Sequence, residues 1–384
     1  MTGASRVVLS ACASYDRECV YEAVARGFEL LGGIDKLTRR CAGKHVVLKP
    51  NLLVADPPEK GSTTHPAVFH AVAKLLKNVG CSLSYGDSPA VGRYHAAAKK
   101  SGIKEAADSL GVDEADFDNG DEVSFQGGSQ NRRFVIARGV LEADAIVNLP
   151  KMKTHGLTFL TGAIKNMFGT IPGLRKSEFH VRLQDAEHFS RMIVDLNRLL
   201  SPDLVVMDCV QGMEGNGPRN GDLVDVGLLI LSQDPVAVDA TAARIMGIRP
   251  DSVPFLTYAQ QVGLGNYSAD RITILGEPLQ RHVGRPFKLA SDPGFHTRVS
   301  PWIRPLRDLV IARPTIDAPI CTGCGTCVRI CPVRPKVLTQ ERGQVPEYDY
   351  GSCIRCYCCQ EVCPEGAIYL RMPLGGRLLR GFRR

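Results

Sequence analysis

Eight cysteines fall into two copies of one spacing, Cys321-x2-Cys324-x2-Cys327-x3-Cys331-Pro332 and Cys353-x2-Cys356-x2-Cys359-x3-Cys363-Pro364. Thiolates two residues apart converge from one tight loop, and the free amides of that loop point at whatever the sulfurs hold. Gly323 and Gly325 permit the close backbone approach. Thiolates converging from one such loop suit an iron-sulfur cube. A zinc site uses two C-x2-C pairs per ion and leaves the third cysteine and the Cys-Pro endings without a purpose. A disulfide framework does not need the doubled register, and nothing else in the chain reads as secretory. Cys358, beside Cys359, is a ninth thiol, read as a spare buried one rather than an exchanging ligand.

Over about residues 316–372 this spacing resembles the bacterial two-cluster ferredoxins. In that family three thiolates of each run wrap one 4Fe-4S cluster and the fourth reaches across to the other. The resemblance implies two 4Fe-4S clusters, one held by Cys321, Cys324, Cys327 and Cys363, the other by Cys353, Cys356, Cys359 and Cys331. The halves are not equivalent: Val333-Arg334-Pro335-Lys336 follows the first Cys-Pro, whereas Glu365-Gly366-Ala367-Ile368 follows the second.

Such clusters need reduced thiolates, which places the chain in a reducing compartment, with the cytoplasm as the expectation. The net charge of +7 is uneven, because residues 281–384 hold 17 Lys and Arg against 8 Asp and Glu, leaving 30 against 32 for residues 1–280. Arg329, Lys336 and Arg355 are read as compensation for anionic clusters, with docking of an acidic redox partner as the alternative. The arginine-rich end, residues 373–384, reads as a basic tail, and nucleic-acid binding is disfavoured because no aromatic residues are interleaved with it. No apolar run approaches the length that crosses a membrane.

The remaining three quarters must position a partner for this redox unit. Short β-branched runs alternate with helical patterns, the signature of an α/β fold with a mixed or mostly parallel sheet flanked by helices. Strands are expected at residues 7–13, 46–48, 82–85, 145–147, 204–207, 226–231 and 272–274, and helices at 66–77, 189–200 and 235–246. Polar turns follow five of these strands, and in an open α/β sheet the carboxyl ends of parallel strands share a ligand-binding edge. All five turns, including Ser232-Gln233-Asp234-Pro235, are therefore expected at one crevice. Lys49, Lys151, Lys153 and Lys165 gather there and suggest an anionic ligand, for which Asn51 and Asn166 are further candidates. His155, His180 and His188 are candidate proton carriers or metal ligands, and Asp185 could share a face with His188, but without a third clustered ligand a dedicated metal site is disfavoured. Two motifs fail: Gly212-x2-Gly215-x-Gly217 is followed by Pro218 and a strand, and Gly162–Lys165 lacks a P-loop ending.

The blocks Lys49-Pro50-Asn51, Gly86-Asp87-Ser88-Pro89, Asn148–His155, Gly162–Asn166 and Asp234–Asp239 together resemble the iron-sulfur-centre family called domain of unknown function 362, over about residues 5–280. That family often carries a C-terminal ferredoxin-type unit, and no one activity defines it. The expected organisation is an α/β domain at residues 1–286, a proline-rich linker at 287–315 whose Trp302, Ile303, Leu306, Leu309, Val310 and Ile311 dock on a neighbour, a small α+β ferredoxin-type domain at 316–372, and the tail. The function favoured is an oxidoreductase that passes low-potential electrons to a small anion, with Lys151, Lys153 and Lys165 orienting it and His155 or Asp87 moving a proton. The alternative is a non-enzymatic electron carrier or assembly partner that docks on another redox protein. Whether a flavin or nucleotide also occupies the crevice is left open.

Overall fold

The computed structural model describes residues 3–33, 43–173, 175–183, 185–284, 286–289, 309 and 311–375. The expected linker contacts of Trp302, Ile303, Leu306 and Val310 and most of the basic tail lie outside these residues.

The strands are β1 (Ser5–Ala11), β2 (His45–Pro50), β3 (Ser82–Tyr85), β4 (Asp113–Glu114), β5 (Gly120–Ser124), β6 (Arg133–Ala137), β7 (Ala145–Leu149), β8 (Lys151–His155), β9 (Phe159–Thr161), β10 (Leu204–Glu214), β11 (Asp222–Ser232) and β12 (Ile272–Gly276). The main sheet runs β12-β1-β11-β10-β7-β2-β3-β4, with β8 paired to β10 and β9 to β8, while β5 and β6 form a separate hairpin. Neighbours pair in parallel except that β11 is antiparallel to both β1 and β10, and β9 to β8.

Period-two alternation fills both faces of this sheet. Val7, Leu9, Val47, Ile146, Val205, Met207, Leu228 and Ile230 face one buried cluster, and Val8, Val46, Leu48, Val147, Leu204, Val206, Leu229 and Leu231 face the other. The second face is covered by α1 (Arg17–Leu30) and α2 (Pro66–Asn78), which bury Val20, Val24, Phe28, Val68, Phe69 and Val72. On the first face, beyond the short α3 (Arg175–Arg182), lie α4 (Ala186–Leu200) and α5 (Pro235–Ile245). Their starts follow local rules: Asp16, Asp185 and Asp234 each accept backbone amides of the following turn.

Two expectations change. Ser232-Gln233-Asp234 leaves β11, which runs against its neighbours, so this turn lies at the opposite edge, where Asp234 bonds Ser5 and Asn266. A buried strand shows its apolar run but not its direction. In addition, Asp208–Glu214 and Lys151–His155 continue as strand rather than turn, so β10 and β11 reach past the sheet edge and close over residues 215–221.

The C-terminal unit pairs β13 (Arg313–Ile316) with β16 (Ile368–Arg371) and β14 (Leu338–Thr339) with β15 (Glu347–Tyr348). It carries a short helix at Thr326–Ile330 and α6 at Cys358–Val362. It rests on the β10–β11 tip: Arg219 donates to the carbonyl of Val362, Asn220 to that of Cys363 and Asn216 to that of Ile368, while Gln360 donates back to Asn216 and Gly217. Among the described residues no helix is long and apolar enough to cross a membrane.

Candidate redox and anion site

The cysteine runs close around two like-sized cavities. One, with about 340 Å³ of empty space, is lined by Cys321, Cys324, Cys327 and Cys363, and the other, with about 310 Å³, by Cys331, Cys353, Cys356 and Cys359. Each draws three thiols from one run and one from the other, and none of the eight is in a disulfide. Among the described residues no three His, Cys, Asp or Glu side chains gather about one ion-sized point. Soft thiolates ringing a wider space fit an iron-sulfur cluster, and the local backbone agrees. Gly323 and Gly325 take left-handed φ values of 66° and 69°. The corresponding residues of the second run are Arg355 and Tyr357, at 59° and 62°. A side chain at such φ is strained. Here Tyr357 is buried in the α/β core and donates its hydroxyl to Ala312, so docking offsets the strain. The loop at the start of the first run lies nearer the surface, with Cys324 exposed and Cys321 half-buried.

Where α6 meets the sheet edge lies a cleft with about 840 Å³ of empty space, lined from the α/β side by Asn51, Asp87, Lys153, His155, Lys165 and Asn166 among others, and from the ferredoxin-type side by Ile330, Cys358, Glu361 and Val362. Parallel pairing places these ends together: Asn51 follows β2, Asp87 follows β3, and β7 leads through Pro150 into β8. The short helix bearing Lys165 and Asn166 is held by Asp239 of α5, which accepts the amides of Ala163 at 2.6 Å and Ile164 at 3.0 Å.

Polar groups form a connected floor. Lys49 pairs with Asp87 at 2.7 Å and donates to Asn166. Asn51 donates to Asn166 at 2.9 Å and accepts from Lys153 at 2.8 Å. Lys153 also donates to the carbonyl of Ser62 at 2.6 Å, and among the described residues no carboxylate lies within ion-pair distance of it. Burial, aided by repulsion from Lys151 and Lys165, lowers it to about 7. Lys176 of α3 donates to Ser88 and Pro89 and is likewise lowered by burial to about 7. Lys165 reaches over the Phe168 ring at 5.2 Å. The lysines at the cleft therefore outnumber their carboxylate partners.

His155 accepts the amides of Leu157 and Thr158 at Nδ1, which leaves the proton on Nε2. That atom lies 3.0 Å from Glu361 Oε1, without the angles of a directed hydrogen bond. Burial lowers His155, whereas Glu361, despite its own burial, falls to about 2 because of its neighbours His155, Lys165 and His180. His180 stacks on Phe189 at 4.8 Å, is lowered by burial to about 4, and its Nδ1 has no hydrogen-bond partner among the described residues.

Of the residues expected at the crevice, Asp87, Lys153, His155, Lys165, Asn51 and Asn166 line the cleft, and Lys49 sits beneath it on Asp87. Lys151 does not line it: Asp208, its register partner on β10, holds it at 3.0 Å, and Tyr15 accepts from it. His188 lies elsewhere, exposed and 2.5 Å from Asp185. Ser88 lines the cleft with its turn, as expected, whereas Lys176 and Glu361 were not anticipated. Glu361 lies within the second cysteine run, and an acid between Cys359 and Cys363 was the signal available.

The fold and the thiol-lined cavities define an iron-sulfur electron-carrier protein in which an α/β unit bears a ferredoxin-type unit. The chain belongs to the domain of unknown function 362 family (DUF362), whose model matches residues 46–244. A 4Fe-4S dicluster domain model matches residues 313–364. The chain is 32% identical over 266 residues to the thylakoid-associated protein sll1697 of Synechocystis sp., covering 69% of this chain and 82% of that protein. It is 36% identical over 58 residues to the uncharacterized ferredoxin MJ0722 of Methanocaldococcus jannaschii, covering 15% of this chain and 75% of the ferredoxin. Among solved structures, the lactate racemase apoprotein of Thermoanaerobacterium thermosaccharolyticum gives a TM-score of 0.41 at 12% identity, covering 65% of this chain and 58% of that one.

Proposed function

We propose that this protein is an oxidoreductase that takes up low-potential electrons through two 4Fe-4S clusters and delivers them to a small organic anion bound in the cleft. Cys321, Cys324, Cys327 and Cys363 would hold one cluster and Cys331, Cys353, Cys356 and Cys359 the other. Bound there, such clusters supply one-electron transfer at a potential tuned by hydrogen bonds and exposure. The observation that carries the reading is the double use of α6 and of the Ile330–Cys331 pair. Cys359 and Cys331 face a thiol-lined cavity, while their neighbours Cys358 and Ile330 face the cleft. A reacting group in the cleft is thus separated from the thiol-lined cavity by little more than a helix wall.

Lys153, Lys165 and Lys176 would bind and orient the anion, and Leu53, Phe168, Ile330 and Val362 would cover its apolar part. His155, neutral and with its Nε2 proton beside Glu361, would offer that N–H as a hydrogen bond where negative charge develops. His180 offers a neutral nitrogen for a further hydrogen bond.

The test is mass spectrometry of small molecules released by acid quench from anaerobically purified protein, followed by binding and turnover assays of any compound found. A stoichiometric organic anion that is lost in Lys153→Ala, with turnover lost in His155→Ala, supports the reading. Full turnover in both variants refutes the assigned site.

A further inference from the structure

We propose that Cys12 and Cys19 form a reversible disulfide, making the start of α1 a thiol–disulfide exchange site separate from the cysteines of the ferredoxin-type unit. This goes beyond the electron-transfer reading and does not depend on it.

The two sulfurs lie 3.9 Å apart, in direct contact across the loop that joins β1 to α1. A disulfide requires them to close to about 2.05 Å, a movement of roughly 2 Å that side-chain rotation and a small loop shift supply. The loop residues Ala13, Ser14 and Asp16 are exposed and Cys19 is half-buried, so a small oxidant reaches it, whereas Cys12 is enclosed beneath. That pairing of one reachable and one shielded thiol is the arrangement of an attacking and a resolving cysteine.

The surroundings favour the same roles. Cys19 lies in the first turn of α1, where free amides and the helix dipole stabilise a thiolate. Burial acts to raise it, but the amides of Ser14 and Ala13 outweigh burial and leave it below the ordinary thiol range. Burial first, then the charge of Cys19, pushes Cys12 up to about 12. By contrast, Cys209 is fully enclosed and burial holds it protonated, so it serves as the inert comparison.

With a low-molecular-weight disulfide such as oxidised glutathione as the oxidant, the Cys19 thiolate attacks one glutathione sulfur and releases the first glutathione thiolate. The Cys12 sulfur then attacks the mixed disulfide at Cys19, its proton passing to the departing second glutathione. Two protein thiols and one oxidised glutathione become one protein disulfide and two reduced glutathiones. Tyr15 stands inside the closed loop, and its hydroxyl donates to Asp208 and accepts from Lys151, so oxidation would restrain the loop that anchors those groups.

The test is an anaerobic titration of the cluster-loaded, full-length protein with oxidised glutathione, alkylation of remaining thiols, trypsin digestion and mass spectrometry, with visible absorbance tracking the clusters. Cleavage after Arg6, Arg17 and Arg26 puts Cys12 and Cys19 on separate peptides, residues 7–17 and 18–26. The expected result is a cross-linked pair of these peptides, appearing before the clusters bleach, reversed by dithiothreitol, and absent from Cys12→Ser and Cys19→Ser. Full alkylation of both cysteines at excess oxidant, or a stable glutathione adduct on Cys19 in the unsubstituted protein, overturns the proposal.

Discussion

Replacing Lys153 by Met tests whether the cleft holds a lysine that gives up its proton near neutrality. An unfolded lysine keeps its proton up to about 10.4, while burial in the folded protein lowers Lys153 to about 7. Between these values the unfolded chain binds more protons than the native one, so this residue makes stability rise with pH, and the penalty is constant below the folded value. Working through the two titrations, moving from pH 7 to pH 9 relieves about 2 kcal/mol of the penalty. The hydrogen bonds from Lys153 to Asn51 and Ser62 contribute a further offset of about 1 kcal/mol each that depends far less on pH. Lys176 has a similar shift but is present in both proteins and cancels in the difference. Anaerobic urea unfolding of the cluster-loaded protein at pH 7 and pH 9 should therefore show the unsubstituted protein gaining about 2 kcal/mol more than Lys153→Met. Parallel pH curves would refute the reasoning, because they would mean that Lys153 keeps its proton with the help of its carbonyl partners. A lysine poised this way becomes charged when an anion enters, which links binding in the cleft to proton uptake.

Other outcomes follow from particular contacts. Arg219→Ala leaves Asp56 buried without the guanidinium that holds it at 2.7 Å and removes a donor to the Val362 carbonyl. It should cost about 3–5 kcal/mol and expose the β10–β11 tip to limited proteolysis, and an unchanged unfolding midpoint would remove Arg219 as the tie between the units. Gly169→Ala would drive a methyl group into the Asp87 carboxylate and the Lys49 ammonium, and should destabilise by about 1–3 kcal/mol in thermal unfolding. A neutral effect there would show that the floor of the cleft can give way. Cys358→Ala should retain the full iron and sulfide content, whereas Cys359→Ala should lose about half, read by iron and sulfide assays, because Cys359 lines a thiol cavity and Cys358 the cleft. Equal losses in both variants would reverse that assignment.

The relation between sequence and structure differs from element to element. The cysteine sets were legible because the spacing of three thiols in one loop is fixed by the chain within a few residues, and the fourth came from a recognisable family pattern. The strands at residues 46–48, 82–85, 145–147 and 204–207 and the helices after Pro66 and Pro235 were legible for the same local reason: period, capping and proline placement act over one or two turns.

What escaped the sequence depends on residues far apart in the chain. The apolar run of β11 is the same read in either direction, so only its antiparallel pairing sends Asp234 to the far edge. Lys151 and Lys153 look equivalent in sequence, yet the register that sets Asp208 opposite Lys151 draws one lysine into an ion pair and leaves the other facing the cleft. Lys176 and Glu361 join the site only because α3 and α6 fold over the same sheet edge. The sequence by itself determined the grouping of the thiols and the alternation of strand and helix, since both are written in short-range spacing. Tertiary structure alone decided which charges meet and which stay unpaired, because ion pairing and desolvation depend on distances that only sheet topology and docking set.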